Sequence, residues 1–75
     1  MTTVDARGLA CPLPLTMARR RMASLEPGQA LIVLATDREA PIDLGAWAAE
    51  EGHLIEHRPR EGWSEFELVK HGARG

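Results

Sequence analysis

The only cysteine of the sequence, Cys11, is the residue best suited to covalent chemistry. It is followed by Pro12 and Pro14 and then by residues with helical spacing. If Pro12 is the first helical residue, Cys11 is the N-cap, and its sulfur lies beside the positive end of the helix dipole. Thiols at helix N-termini can have pKa values lowered from about 8.5 to roughly 3.5–7.5. We expect the pKa of Cys11 to be lowered only moderately. The two prolines remove N–H groups that would otherwise stabilise the thiolate, and this limits the shift.

The lack of a second cysteine restricts the chemistry that Cys11 can perform. Disulfide oxidoreductases of the Cys-x-x-Cys type need a resolving thiol at the position that Pro14 occupies here. A group bound to Cys11 therefore has to pass to another molecule, which is typical of a carrier. A lone cysteine is also often a buried, unreactive residue, and the local pattern favours neither interpretation over the other.

A basic run, Arg19, Arg20 and Arg21, follows in the second half of the same helix. Cations there interact favourably with the helix dipole, so a solvated basic face is the simplest interpretation. The alternative is a patch that docks an acidic partner, because the helix runs from Cys11 towards these arginines. We expect no direct nucleic-acid contact, since the chain has nine Lys/Arg against eleven Asp/Glu and nucleic-acid binding needs a basic excess.

The histidines do not predict a metal site. On a strand, His53 and His57 share a face but lie roughly 13 Å apart, too far to bind one ion. No thiolate or carboxylate converges on them in the sequence pattern, so we expect neither a metal nor an organic cofactor. Both tryptophans, Trp47 and Trp63, are expected to pack in the core, although an exposed Trp63 would be a candidate partner anchor.

Hydrophobic periodicity predicts six elements that position these residues. Strands are expected over residues 2–6, 30–36, 53–58 and 64–70. A helix is expected from Pro12 to about Leu25, before Pro27-Gly28. A second helix is expected after a cap at Thr36 or Asp37, with Pro41 in its first turn and Gly52 at its end.

The order of elements predicts an α+β fold, a two-layer α/β sandwich of βαβαββ topology. Each helix has one apolar stripe, so both are expected on one face of a four-stranded mixed sheet. We expect one domain over residues 1–75, a monomer, with His71 to Gly75 frayed. The N-terminus has no leader pattern and the longest apolar run is too short to span a bilayer, so we expect a cytoplasmic protein without membrane contact.

The residues around Cys11 resemble the TusA/SirA/YedF-type sulfur-carrier family. The matched pattern is D-x-x-G-L-x-C-P-x-P, formed here by Asp5, Gly8, Leu9, Cys11, Pro12 and Pro14. The likeness continues through Pro27-Gly28, Thr36-Asp37, Asp43 and Gly52-His53, so it covers nearly the whole chain.

The resemblance implies that Cys11 accepts sulfane sulfur as a persulfide, with Gly8, Pro12 and Pro14 shaping the helix start around it. Asp37 and Asp43 match family positions near the second helix, where we assign capping before catalysis. The chain has Asp43-Leu44-Gly45 where many members have Asp-Ile-Pro, which is expected to loosen that helix.

The family's sulfur donors are typically a cysteine desulfurase or a rhodanese-like protein, and its acceptors are other carriers or enzymes. Its pathways include tRNA 2-thiouridine synthesis, sulfur oxidation, molybdenum-cofactor synthesis and selenium metabolism. We therefore predict a sulfurtransferase-type carrier that turns over only with partner enzymes. Two other classes stay open: a thiol-based redox sensor and a non-catalytic protein-binding module.

Overall fold

The computed structural model describes residues 2–71, and their elements follow the predicted order. The strands are β1 Thr2–Ala6, β2 Ala30–Ala35, β3 Leu54–Arg60 and β4 Trp63–Val69, and the helices are α1 Leu13–Ala23 and α2 Ala40–Glu51. Of the end predicted to be frayed, His71 is described, and residues 72–75 lie outside the described residues. Neither helix within residues 2–71 has the length and apolar character needed to cross a membrane.

The four strands form one mixed sheet in the order β1-β2-β4-β3. The strand β1 runs parallel to β2, with Thr2 opposite Leu31 and Ala6 opposite Ala35. The strand β4 is antiparallel to both β2 and β3. The strand β2 therefore lies inside the sheet, between β1 and β4. Because β1 and β2 are parallel neighbours, the loops that lead from them into α1 and α2 leave the same edge of the sheet.

The hydrophobic core lies between one face of the sheet and the two helices. Its buried strand residues are Val4, Ala6, Leu31, Val33, Ala35, Phe66 and Leu68, and its buried helix residues are Ala18, Met22, Ala40, Leu44, Trp47 and Ala48. Within each strand the buried residues alternate, so all of them point to the same face. The prediction that both helices cover one face is confirmed, and Trp47 belongs to the core as expected.

The other face of the sheet carries charged side chains. Arg58 pairs with Glu56, Glu65 and Glu67, and Arg60 donates to Glu65 at 3.2 Å. Glu65 and Glu67 alternate along β4 with the buried Phe66 and Leu68, as the sequence pattern predicted. Ion pairs that face water in this way typically contribute at most about 1 kcal/mol each, so this face adds little to stability beside the core.

The prediction that Trp63 packs in the core was wrong. Trp63 lies two residues before Glu65 in β4 and therefore shares its outward face. The side chain is half-buried, and the Arg7 guanidinium lies 5.3 Å from the centre of its ring. The alternation of side chains along β4 determines that Trp63 points outward. The expectation of core packing came from its aromatic character, which does not determine the direction of a side chain.

The prediction of a side-chain cap at Thr36 or Asp37 was also wrong. The helix α2 starts later, with Glu39 as its N-cap, and no side chain caps it. Pro41 does lie in the first turn, and Gly52 ends the helix with a left-handed φ of 79°. The helix runs unbroken through Gly45, where the family pattern has proline.

Truncation of the buried Leu68 tests the position of the core. The side chain of Leu68 is 0% exposed, and Leu68→Ala is expected to lower the free energy of unfolding by about 2–5 kcal/mol. The matched control is Leu54→Ala in the edge strand β3, because Leu54 is 70% exposed and its loss is expected to change stability by less than about 0.5 kcal/mol. Urea unfolding followed by circular dichroism measures both values, and equal losses would contradict the assigned burial.

Gly45 offers a stabilising substitution. A Cβ at this position would meet no atom within 4 Å among residues 2–71, apart from its chain neighbours and the backbone of its own helix. Gly45→Ala is therefore expected to raise the free energy of unfolding by about 0.5–1 kcal/mol, because glycine weakens a helix interior. Gly28→Ala is the control, since Gly28 has a φ of 89° that alanine adopts only at a cost of roughly 1–2 kcal/mol. Thermal unfolding of the two variants should shift in opposite directions.

Candidate functional site

Cys11 lies in the loop between β1 and α1, one position before the N-cap. The first helical residue is Leu13 and the N-cap is Pro12, so the prediction that Cys11 caps the helix was wrong by one position. Pro12 has φ −100° and ψ 20°, outside the geometry of a helical residue. Neither Pro12 nor Pro14 has an N–H group, and the N–H of Leu13 donates to the Ala10 carbonyl at 2.9 Å. Residues 12–14 therefore offer no free N–H group to a thiolate at Cys11.

The Cys11 thiol has a carboxylate partner. Its Sγ donates a hydrogen bond to Oδ2 of Asp43 at 2.9 Å. Asp43 lies in the first turn of α2, so this bond joins the starts of the two helices across 32 positions of sequence. Asp43 was expected to cap the helix, and its position beside the thiol was not predicted. The only signal was that both residues belong to the same family pattern.

Asp43 favours the protonated form of Cys11. The pKa of the Cys11 thiol is raised from 9.0 to about 11. The largest cause is the hydrogen bond to Asp43, which the thiol can donate and the thiolate cannot. Desolvation and the negative charges of Asp43, Asp37 and Glu39 are the smaller causes of this rise. The expected lowering of this pKa was therefore wrong, because these carboxylates outweigh the weak positive field at the start of α1.

Gly8 brings the two loops at this edge of the sheet together. Its φ of 84° lies in the left-handed region that favours glycine. Its N–H donates to the Thr36 hydroxyl at 2.8 Å, which links the loop before α1 to the loop before α2. Thr36 was expected to cap α2 and instead accepts this bond. The link joins the loop that carries Cys11 to the loop that leads to Asp43 in α2.

The surface next to Cys11 and Asp43 along the chain is apolar. Cys11 is exposed, and the nearby Leu13 is 47% exposed. Ile42, the residue before Asp43, is 65% exposed. Large exposed apolar side chains next to a reactive group are typical of a contact surface for another protein.

The three predicted docking arginines are all exposed. Arg20 and Arg21 line a groove of about 340 Å³ beside the edge strand β1. Arg19 lines one groove with Trp47 and His53 and another with Arg20. All three lie about 12 Å or more along the helix from the thiol. The structure therefore separates this basic run from Cys11.

Two of the histidines, His53 and His57, pack against aromatic residues of the core. His53 packs edge-on against Trp47 with ring centres 5.1 Å apart, and its Nδ1 accepts the N–H of His71 at 2.8 Å. Burial lowers the pKa of His53. His57 stacks on Phe66 with ring centres 4.6 Å apart. Within residues 2–71, no three His, Cys, Asp or Glu side chains are grouped so that they could hold a metal ion.

Comparison with known proteins gives consistent matches over this chain. The family model described as "Sulfurtransferase TusA" matches residues 2–70. The putative sulfur carrier protein YrkI of Bacillus subtilis is 46% identical over 59 residues, which cover 79% of each chain. The sulfur carrier protein TusA of Allochromatium vinosum is 36% identical over 67 residues, covering 89% of this chain and 88% of that protein.

A longer relative and a solved structure extend the comparison. The putative sulfur carrier protein YrkF of Bacillus subtilis is 39% identical over 95% of this chain, which spans only 36% of that protein's length. The crystal structure of a SirA-like protein from Desulfitobacterium hafniense matches with a TM-score of 0.87 and 30% identity, over 95% of this chain and 99% of that one. This likeness confirms the predicted α+β fold.

The reactivity of Cys11 is expected to follow its raised pKa. Only the thiolate is alkylated, so the rate with iodoacetamide should keep rising with pH until about pH 11. At pH 7.5 we expect alkylation about 20-fold slower than for N-acetylcysteinamide, because the lower thiolate fraction outweighs the greater nucleophilicity of a more basic thiolate. Mass spectrometry of the alkylated protein measures the rate, with Cys11→Ser as the background. A midpoint below about 8.5 would contradict the hydrogen bond.

Proposed function

This chain belongs to the TusA sulfurtransferase family, and from this membership we propose that it accepts sulfane sulfur as a persulfide on Cys11 and relays it to an acceptor protein. The observation that carries the proposal is the placement of the chain's single thiol. Cys11 is exposed at the start of α1, and relatives that align with most of the chain are named sulfur carriers. The family resemblance predicted from the sequence is confirmed by the family match.

The loading step is a thiol–persulfide exchange. The Cys11 thiolate attacks the outer sulfur of a persulfide on the donor, and a new S–S bond forms. The donor's own S–S bond breaks, and its electron pair leaves on the inner sulfur, which takes up the proton that Cys11 released. Cys11–SH and donor R–S–SH thus become Cys11–S–SH and R–SH, without an added oxidant or reductant.

Delivery follows the same chemistry with the roles exchanged. An acceptor thiolate attacks the outer sulfur of the Cys11 persulfide, and Cys11 leaves as the thiolate. No other cysteine exists in the sequence, so the sulfur passes directly to another molecule. The carrier therefore turns over only when donor and acceptor proteins are both present. The exposed Leu13 and Ile42 beside the site favour docking of such proteins.

The donor we propose is a cysteine desulfurase or a rhodanese-like protein in the cytoplasm, and the acceptor is a downstream sulfur-transfer protein. The destinations include tRNA 2-thiouridine and sulfur oxidation. Arg19, Arg20 and Arg21 are proposed to contact an acidic partner surface away from the thiol. Rim charges of this kind chiefly raise the rate of encounter, so they would steer docking and leave the chemistry to Cys11.

The redox-sensor alternative fits the site less well. Cysteines that sense oxidants are accessible, have lowered pKa values and often lie next to a resolving thiol. Cys11 is accessible, but its pKa is raised to about 11, chiefly by Asp43, and the sequence has no second cysteine. A non-catalytic binding module would leave the thiol without a role, and it predicts that Cys11→Ser changes nothing.

The sulfur-carrier proposal is tested by intact mass after incubation with a cysteine desulfurase and cysteine. We expect the wild-type chain to gain one sulfur atom that reductant removes, and Cys11→Ser to gain none, because the persulfide needs the thiol. A rhodanese-like donor with thiosulfate provides the second arm. No gain from either donor, together with rapid oxidation of Cys11 by peroxide, would overturn the proposal in favour of a redox sensor.

A further inference from the structure

The carboxylate that meets Cys11 is held in place by the core of the protein. Asp43 is followed by Leu44, which is 0% exposed, and preceded by Pro41 in the first turn of α2. On the other side, the buried Pro14 anchors the start of α1 close to Cys11. The 2.9 Å contact between Sγ and Oδ2 therefore joins the loop next to one anchored helix to the first turn of the other.

Among residues 2–71, the charged groups that shift the pKa of the thiol are three carboxylates. Asp43 lies in α2, and Asp37 and Glu39 lie in the segment between β2 and α2. At the start of α1, the two prolines provide no N–H group. A proton on Cys11 is therefore stabilised from the α2 side, and the α1 side offers little to a negative sulfur.

Sulfur transfer needs the opposite protonation state. The nucleophile in thiol exchange is the thiolate, and a carboxylate 2.9 Å away both accepts the thiol proton's hydrogen bond and repels the thiolate. A cationic side chain that pairs with Asp43 would occupy the accepting oxygen and neutralise its charge. The same cation would also stabilise the thiolate directly. A partner that provides such a group thus raises the thiolate fraction of Cys11 in the complex.

We propose that Asp43 is a positioning residue that lowers the thiolate fraction of Cys11 in the free carrier, and that this fraction rises for transfer when a partner places a lysine or arginine at the Asp43 carboxylate. This inference rests on the proposed sulfur-carrier function and names the kind of partner surface that the site takes. The proton that leaves Cys11 is taken up by the inner sulfur of the donor as its S–S bond breaks. The free carrier is thereby protected from unspecific thiol reagents.

The first test is the pH profile of alkylation in Asp43→Asn. Asparagine keeps the shape of the side chain, carries no charge and can donate to the thiolate, so the pKa is expected to fall to about 9 or below. At pH 7.5 the thiolate fraction then rises about 100-fold. The less basic thiolate is intrinsically slower by roughly 6- to 10-fold, which leaves a net acceleration of about tenfold.

The matched control for this test is Glu39→Gln. It removes a carboxylate that acts on Cys11 through charge alone and makes no hydrogen bond to it. We expect its alkylation rate to stay within about twofold of the wild type, because a single exposed charge is screened by solvent. An Asp43→Asn profile that superimposes on the wild type would overturn the inference.

The second test uses small disulfides as probes of the cation requirement. Cystamine carries two ammonium groups, and bis(2-hydroxyethyl) disulfide is a neutral compound of similar size. At low salt, Cys11 of the wild type is expected to prefer cystamine about fivefold more than N-acetylcysteinamide does, and Asp43→Asn is expected to lose most of this preference. If Asp43→Asn does not fold, the wild-type comparison decides alone. A wild-type preference equal to that of the reference thiol would overturn the inference.

Neither test uses a sulfur donor protein. Unchanged alkylation and equal probe rates would overturn the role of Asp43 and leave the sulfur-carrier proposal standing. Failure of Cys11 to gain sulfur from a desulfurase or a rhodanese-like donor would overturn the proposed function and leave the measured effect of Asp43 on the thiol intact. The two failures are therefore distinguishable.

Discussion

The parallel pairing of β1 with β2 is the constraint on which the site depends. Parallel neighbours deliver their carboxyl ends to one edge of the sheet, so the loops into α1 and α2 must lie side by side. The bond from Gly8 to Thr36 joins these loops, and the packing of both helices on one face of the sheet holds their first turns together. Only in this arrangement can Cys11 and Asp43 meet. A small protein without a deep cleft thereby builds a defined chemical environment at the edge of its sheet.

The state of Cys11 results from two opposing electrostatic effects. The start of α1 favours a negative sulfur, but Cys11 lies outside the helix, and Pro12 and Pro14 supply no N–H groups to it. Asp43 acts at hydrogen-bond distance, where both the bond and the charge favour the neutral thiol. The nearer effect therefore dominates. The result is a thiol that is open to solvent and yet has a raised pKa.

Most of the fold could be predicted from periodicity. Alternation in β4 gave both the buried Phe66 and Leu68 and the outward Glu65 and Glu67, because side chains of a strand point alternately to its two faces. The same alternation placed Trp63 on the outward face, although its aromatic character had suggested a position in the core. Helix starts were less predictable. Thr36 and Asp37 are typical caps, but such side chains can equally form hydrogen bonds between loops. In the structure the Thr36 hydroxyl does so, by accepting the N–H of Gly8.

The amino-acid sequence by itself determined the order of the elements, the apolar faces that form the core, and the single thiol that limits thiol chemistry to Cys11. These properties follow from residue types and short-range spacing. The tertiary structure alone decided that the pKa of this thiol is raised. The deciding hydrogen bond joins residues 32 positions apart and depends on a separation of 2.9 Å. No local pattern specifies such a distance, because it is set by how two helices pack on a shared sheet.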